Sequence, residues 1–172
     1  MKKLKPIDYK LLYELMKDAR RSDREIARIL RVSQPTVTRR RGMLEKEVID
    51  GYTAIPKWGE LGFEIFSITF IKSNIRSAPM AEKKAVIEKG SDWVRKQPNI
   101  FLAGRGRGCG FDGFMMSFHK RYSDYSSMLA ELQSHMGGVV QTESFILPLG
   151  TDSVIKPFHL KYLAETEKQR PS

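Results

Sequence analysis

One cysteine, Cys109, stands in a chain of 172 residues. A lone thiol closes no intrachain disulfide and builds no cysteine-based zinc site. That fits a reducing compartment, and the expected location is the cytoplasm. Histidine is almost as scarce. His119, His135 and His159 do not fall at a metal-ligand spacing such as HxxxH or HExxH, so no metal and no cofactor is expected. They read as surface or interface residues. Long hydrophobic runs are missing too. The most apolar stretch, FEIFSITFI at 63–71, is too short to span a bilayer, so no membrane partner is expected. The basic opening, MKKLKPIDYK, is followed by no apolar run and does not read as a signal peptide. Acidic residues are outnumbered, 20 against 30 Lys+Arg, for a formal charge of +10.

What the chain does have is an apolar content of 41%, enough for a real core, in a length that suits one ordinary domain or two small ones. The basic excess is uneven. Residues 1–60 hold 15 Lys+Arg against 9 Asp+Glu. An N-terminal concentration of cations points to a polyanionic partner for that part.

IDYKLLYELMK (7–17) puts Ile7, Leu11, Leu12, Leu15 and Met16 on one helical face, with Pro6 in the first turn. SDRE reads as a capping box, Ser22 as N-cap and Glu25 three residues on. Ile26, Ala27 and Leu30 form the stripe of a short second helix. After the turn RVS, Ser33 is the expected N-cap of a third helix that tolerates Pro35. Val37, Leu44 and Val48 are its core-facing residues. VIDGYTAI reads as a hairpin turning at Asp50-Gly51. Three helices, the last two across a tight turn, then a hairpin, make a winged helix-turn-helix.

The second half reads as strand 63–72, helix 78–97, strand 99–104, strand 111–119, helix 123–136 and strand 139–147. Gly90 weakens the first of these helices, and Gly137 and Gly138 end the second. The order βαββαβ predicts a ferredoxin-like domain. The fold class is therefore α+β, divided as 1–60, 61–150 and a partly ordered tail at 151–172, frayed over ETEKQRPS. The strands are apolar on both sides, and two helices cover only one face of so small a sheet. The other face needs a second subunit. Phe63, Phe66, Phe70 and Phe114 belong to the sheet core or a dimer face.

In the third helix VSQPTVTRRR (32–41) ends in three arginines. At about 100° per residue they fan over roughly 200°. With Val37, Leu44 and Val48 inward, Arg39 points outward to meet a base edge or a phosphate. Arg40 lies on a flank, within reach of a phosphate. Arg41 points inward and is structural, lying over the second helix or paired with a carboxylate. Ser33, Gln34, Thr36 and Thr38 occupy the first turns, the part of such a helix that reaches base edges. Gln can bond adenine at two atoms, and a Thr methyl can touch the thymine methyl. The bland alternative is a solvated face that merely satisfies the helix N-terminus.

Over about residues 6–150 the sequence resembles the Lrp/AsnC family of transcription regulators. The resemblance lies in Ile7-Asp8, the leucine-rich first helix, Ser33, Leu44-Glu45 and Ile49-Asp50-Gly51-Tyr52, and more loosely in Gly104, Asp112 and TESFIL. It implies a sequence-specific regulator of double-stranded DNA. It also implies a C-terminal domain that pairs subunits into a homodimer, or into a tetramer or octamer, and in many members binds an amino acid between them. The chain departs from the family pattern at Arg41, at EKEVI and at GRGRGCGFDG.

That last stretch reads as a flexible loop or an anion-binding nest. A small-molecule effector would be held by Gly104, Arg105, Arg107 and Asp112, the arginines on a carboxylate and Asp112 on an amine. Asp112 serves equally well as a turn former bonding the loop backbone. Cys109, near two arginines, is a candidate redox sensor or an idle loop residue. No enzymatic activity is expected. The alternative from another class is a haem-precursor decarboxylase-like protein of the same architecture, which would need His, Arg or Tyr converging on a porphyrin. An RNA-binding module lacks its aromatic signature.

Overall fold

The computed structural model describes residues 4–74, 78–137, 140–150 and 152–166, the Arg107 side chain excepted. It divides into two compact units. One gathers the chain up to Ile55 together with the stretch from Pro157 onward, and the other runs from Pro56 to Lys156.

The first unit holds α1 (Pro6–Lys17), α2 (Asp23–Leu30) and α3 (Gln34–Glu47). Their core is Leu11, Leu15, Ile26, Ala27, Val37 and Leu44. The capping box at α2 forms as read: Glu25 N–H donates to Ser22 Oγ at 3.3 Å, and Ser22 N–H donates to Glu25 Oε2 at 2.8 Å. Hydrogen bonds from Ser22, its side chain first, hold the Glu25 carboxyl below its usual range. Val48 departs from expectation. It is the C-cap of α3 and 40% exposed. The helical phase ends at Glu47, so Ile49 packs on the core instead. The hairpin expected at VIDGYTAI does not form a strand ladder, and residues 49–57 run without regular structure. Tyr52 ties this irregular wing to α3, its hydroxyl donating to Glu45 Oε1 at 2.9 Å. Part of the stretch expected as a tail is α6 (Lys161–Thr166), which packs on α1 and buries Ala164 completely. Residues 167–172 of the expected frayed end lie outside the described residues.

The second unit is β1 (Ile65–Ser73), α4 (Met80–Lys96), β2 (Ile100–Gly108), β3 (Phe111–His119), α5 (Tyr122–Met136) and β4 (Val140–Pro148). The antiparallel sheet has the order β2-β3-β1-β4, as a ferredoxin-like βαββαβ chain requires. A single 3-10 turn, Trp58–Leu61, precedes it. Gly137 at φ 60° closes α5. Gly138 lies outside the described residues. A Cβ on Gly90, inside α4, would stand 3.4 Å from Met136 Cε, an ordinary contact, so packing does not demand glycine there.

The helix-covered side of the sheet carries Trp93, Met115, Tyr125, Met128, Leu132, Met136 and Val140 as its apolar core. Its centre is polar. Ser67, Thr69, Ser117 and His119 are all buried there. Ser67 Oγ lies 2.9 Å from Ser117 Oγ, and Ser117 Oγ lies 2.8 Å from His119 Nε2. Thr69 Oγ1 meets Ser144 Oγ at 2.9 Å. The hydroxyls satisfy one another, which makes their burial affordable. His119 is therefore a buried residue and not the surface or interface histidine the sequence suggested. Burial holds its pKa below the usual value, against an opposing pull from Asp124. A cluster of phenylalanines and Trp58 sits on the opposite, open face. Phe118 stacks on Trp58 at 3.9 Å between centroids and touches Phe63, Phe66 and Phe101. Beside them Phe145 is 61% exposed and Leu102 48%.

The expected loop GRGRGCG is mostly strand. Gly108 pairs with Phe111, leaving Cys109 and Gly110 as a two-residue turn with φ of 51° and 84°. Both values lie in the left-handed region that tight hairpin turns of this kind demand. The register slips between Arg105 and Gly108, a bulge opposite Asp112.

Candidate nucleic-acid interface

Arg31 ends α2 in the left-handed conformation, φ 55°, its N–H turned back to Ala27 and Arg28 carbonyls. Val32 N–H also reaches Ala27 O at 3.1 Å. Those bonds consume the orphan carbonyls of α2 and aim the chain into α3 within three residues. Ser33 occupies the N-cap position. Its carbonyl accepts from Thr36 N–H and Val37 N–H at 3.1 and 3.3 Å. Its hydroxyl makes no cap bond to the backbone and lies 2.8 Å from Thr36 Oγ1. Gln34 is exposed beside it, and Thr36 is half-buried.

The three arginines have three different environments. Arg39 is exposed, and among the described residues it has no hydrogen-bond or ionic partner. Arg40 is half-buried, its Nη1 3.4 Å from Asp8 Oδ2 on α1. Asp8 is 1% exposed. Its Oδ2 also accepts Lys5 N–H at 2.7 Å, while Oδ1 has no hydrogen-bond partner among the described residues. Arg41 crosses to α2. Its Nη2 donates to Arg21 O at 2.7 Å, and its Nη1 stands 2.8 Å from Asp23 Oδ1. The geometry at that oxygen is a close charge contact rather than an aligned hydrogen bond. Thr38, read as a base contact, donates its hydroxyl to Asp23 Oδ2 at 2.6 Å. Its proton is thereby used, and its methyl and the acceptor side of its hydroxyl remain for another partner.

Two carboxylates, the buried Asp8 and the half-buried Asp23, thus stand behind the cationic helix; sequence reading gave Arg41 a carboxylate without naming it and missed Asp8. A third, Glu14, is bound by Lys17 and Arg21. An acidic residue repeating on an apolar stripe, as Asp8 and Glu14 do on α1, is the signal that could have found them, since a buried carboxylate needs a cation.

Of the residues expected at an effector, Gly104, Arg105 and Asp112 lie on the paired strands of the β2–β3 hairpin. Gly104 faces Phe114 in register, and a Cβ there would meet the Phe114 ring at 3.0 Å. Glycine is present because the ring needs the space. Asp112 Oδ2 accepts Ser73 N–H at 2.8 Å and Ser73 Oγ–H at 3.1 Å, tying the end of β1 to β3. Both bonds go to the end of a neighbouring strand. Arg105 is exposed on the edge strand. The Arg107 side chain lies outside the described residues. Cys109 is exposed in its turn.

Residues 6–45 match the model of the AsnC-type helix-turn-helix domain. No curated protein matches the chain as a whole. Among solved structures, a transcriptional regulator from Neisseria meningitidis in complex with L-Met is similar at 21% identity and a TM-score of 0.72, over 84% of this chain and 90% of that one. The LrpC protein of B. subtilis is similar at 25% identity and 0.64, over 84% and 94%. AsnC of E. coli is similar at 17% and 0.67, over 84% and 92%.

Proposed function

We propose that this chain, which belongs to the Lrp/AsnC family of helix-turn-helix transcription regulators, grips double-stranded operator DNA through α3 as a two-fold homodimer. The observation that carries the reading is the division within the arginine run. Arg39 is exposed and has no partner among the described residues, while Arg40 and Arg41 are backed by Asp8 and Asp23. In this reading Gln34 and Arg39 reach base edges in the major groove, and the methyls of Thr36 and Thr38 supply apolar contact. Ser33 and Arg40 take phosphates. Arg40 is held in place by Asp8, so less side-chain freedom is lost on binding. Regulation of transcription at DNA makes it a cytoplasmic protein and not an enzyme.

The homodimer forms through the open sheet face. Phe66, Phe70, Phe101 and Phe145 stand on the face of the sheet opposite α4 and α5, and a second copy is its self-complementary occupant. Dimers assemble further into tetramers or octamers. A small-molecule effector belongs to the same reading, with support from the neisserial regulator solved with L-Met. Its site is the C-terminal unit near the β2–β3 turn, where Arg105 or Arg107 takes a carboxylate, with Gly104 and Asp112 beside it.

Footprinting on sequences selected from a random pool tests the proposal. Paired half-sites, about one helical turn or a multiple apart, are expected. Isolated single half-sites would overturn the two-fold model. A thermal-shift and calorimetry screen of amino acids tests the effector, and no hit would remove it.

A further inference from the structure

The outer face of α4 and the Arg105 end of β2 enclose an open groove of about 580 Å³. Met80, Lys83, Lys84, Ile87 and Arg95 recur on α4 at the spacing of one helical face, and Arg105 closes the far wall. Four cations line it against one acid, Glu88. Lys84 Nζ is 3.9 Å from Glu88 Oε1, and Arg95 is held by Asp92 at 2.6 Å. Among the described residues neither Lys83 nor Arg105 has an acidic partner.

We infer that this groove holds the phosphate backbone of DNA lying outside the operator. The inference rests on the DNA-binding reading above and extends it to the other unit. The cations are presented to water, the Lys84 and Arg95 side chains at 77% and 73% exposure. Among the described residues no buried polar group lines the groove to fix one small ligand, which suits a repeating polyanion read only by charge. The run from Lys83 to Arg95 covers about 18 Å of helix, roughly the axial rise of five base pairs. The edge position of β2 keeps Arg105 clear of a neighbouring strand on its outer side. The groove contacts no base, so it adds affinity and salt dependence without adding sequence preference.

The test compares two duplexes with the full-length protein: a selected operator alone, and the same operator extended by two helical turns of unrelated sequence on each side. Anisotropy titrations are run across a fourfold range of salt with wild type, Lys83→Ala/Lys84→Ala and Lys83→Arg/Lys84→Arg. Wild type should bind the extended duplex more tightly. The alanine pair should lose about tenfold at low salt on that duplex alone, with the salt slope falling by about two. The arginine pair should retain the gain, and all three should melt together. An extension that adds nothing for wild type, or a gain that survives in the alanine pair, overturns the inference while leaving operator binding intact. Failure of wild type to bind any duplex sinks the DNA-binding reading itself. Protection from melting by inorganic pyrophosphate that requires Lys83 and Lys84, with no effect of duplex length, would overturn the inference in favour of a small anion.

Discussion

Arg41 Nη1 stands 2.8 Å from Asp23 Oδ1, which ties the middle of the recognition helix back to the helix before it. Arg39, two residues earlier, has no such partner among the described residues. The same charge therefore does two jobs, set by direction on the helix.

Arg39→Ala and Arg41→Ala should differ in kind. Losing a base-reading Arg39 should cost about 1–3 kcal/mol of specific binding, with the melting temperature unchanged. Arg41→Ala should lower stability by about 1–3 kcal/mol through two lost charged contacts. Paired anisotropy and thermal-melting measurements check this. Equal binding losses with equal melting temperatures would end the division of roles.

Arg40→Ala should strip Asp8 of the one cation it meets among the described residues and leave a buried carboxylate without an ionic partner. The loss in urea denaturation should reach about 3 kcal/mol. Asp8→Asn placed on that background should recover part of it, because the amide is neutral. A double variant no more stable than Arg40→Ala would show that the pair contributes nothing.

His119 carries a pH dependence. Its pKa in the fold is lowered by burial, so folding favours the neutral ring. The stability it contributes is fully present above the ordinary histidine pKa and is lost as pH falls below it. Wild type should lose more in melting temperature between neutral pH and mild acid than His119→Gln does. The variant itself should cost about 1–3 kcal/mol at neutral pH through the broken Ser117 contact. Parallel pH profiles for the two proteins would refute the assignment.

Phe145→Glu probes the open sheet face. The residue is 61% exposed, so the isolated fold should tolerate the change within about 0.5 kcal/mol. Dimerisation should fail, since a charge would enter an apolar interface. Sedimentation velocity reads the outcome, and an unchanged dimer would place the interface elsewhere.

Much of this molecule is decided locally. Periodicity places α1, α2, α3 and α5, and the Ser22–Glu25 capping box appears where its spacing puts it. The order βαββαβ follows from alternating and helical patterns, and the outward direction of Arg39 follows from about 100° per residue. These features depend on neighbours a few positions away, which a sequence displays directly. Tertiary structure decided the rest. Nothing near Arg40 announces Asp8, which is 32 positions away, because pairing across helices depends on crossing geometry. A single strand pattern could not say that hydroxyls would fill the covered face and aromatics the open one. Ser67, Ser117 and His119 become buriable only when adjacent strands bring their hydrogen-bonding atoms together. GRGRGCG looked like a loop because glycine signals freedom, yet register with β3 spends most of it on strand and a two-residue turn. The helix at Lys161–Thr166 is too short to be stable alone and exists because α1 receives Ala164.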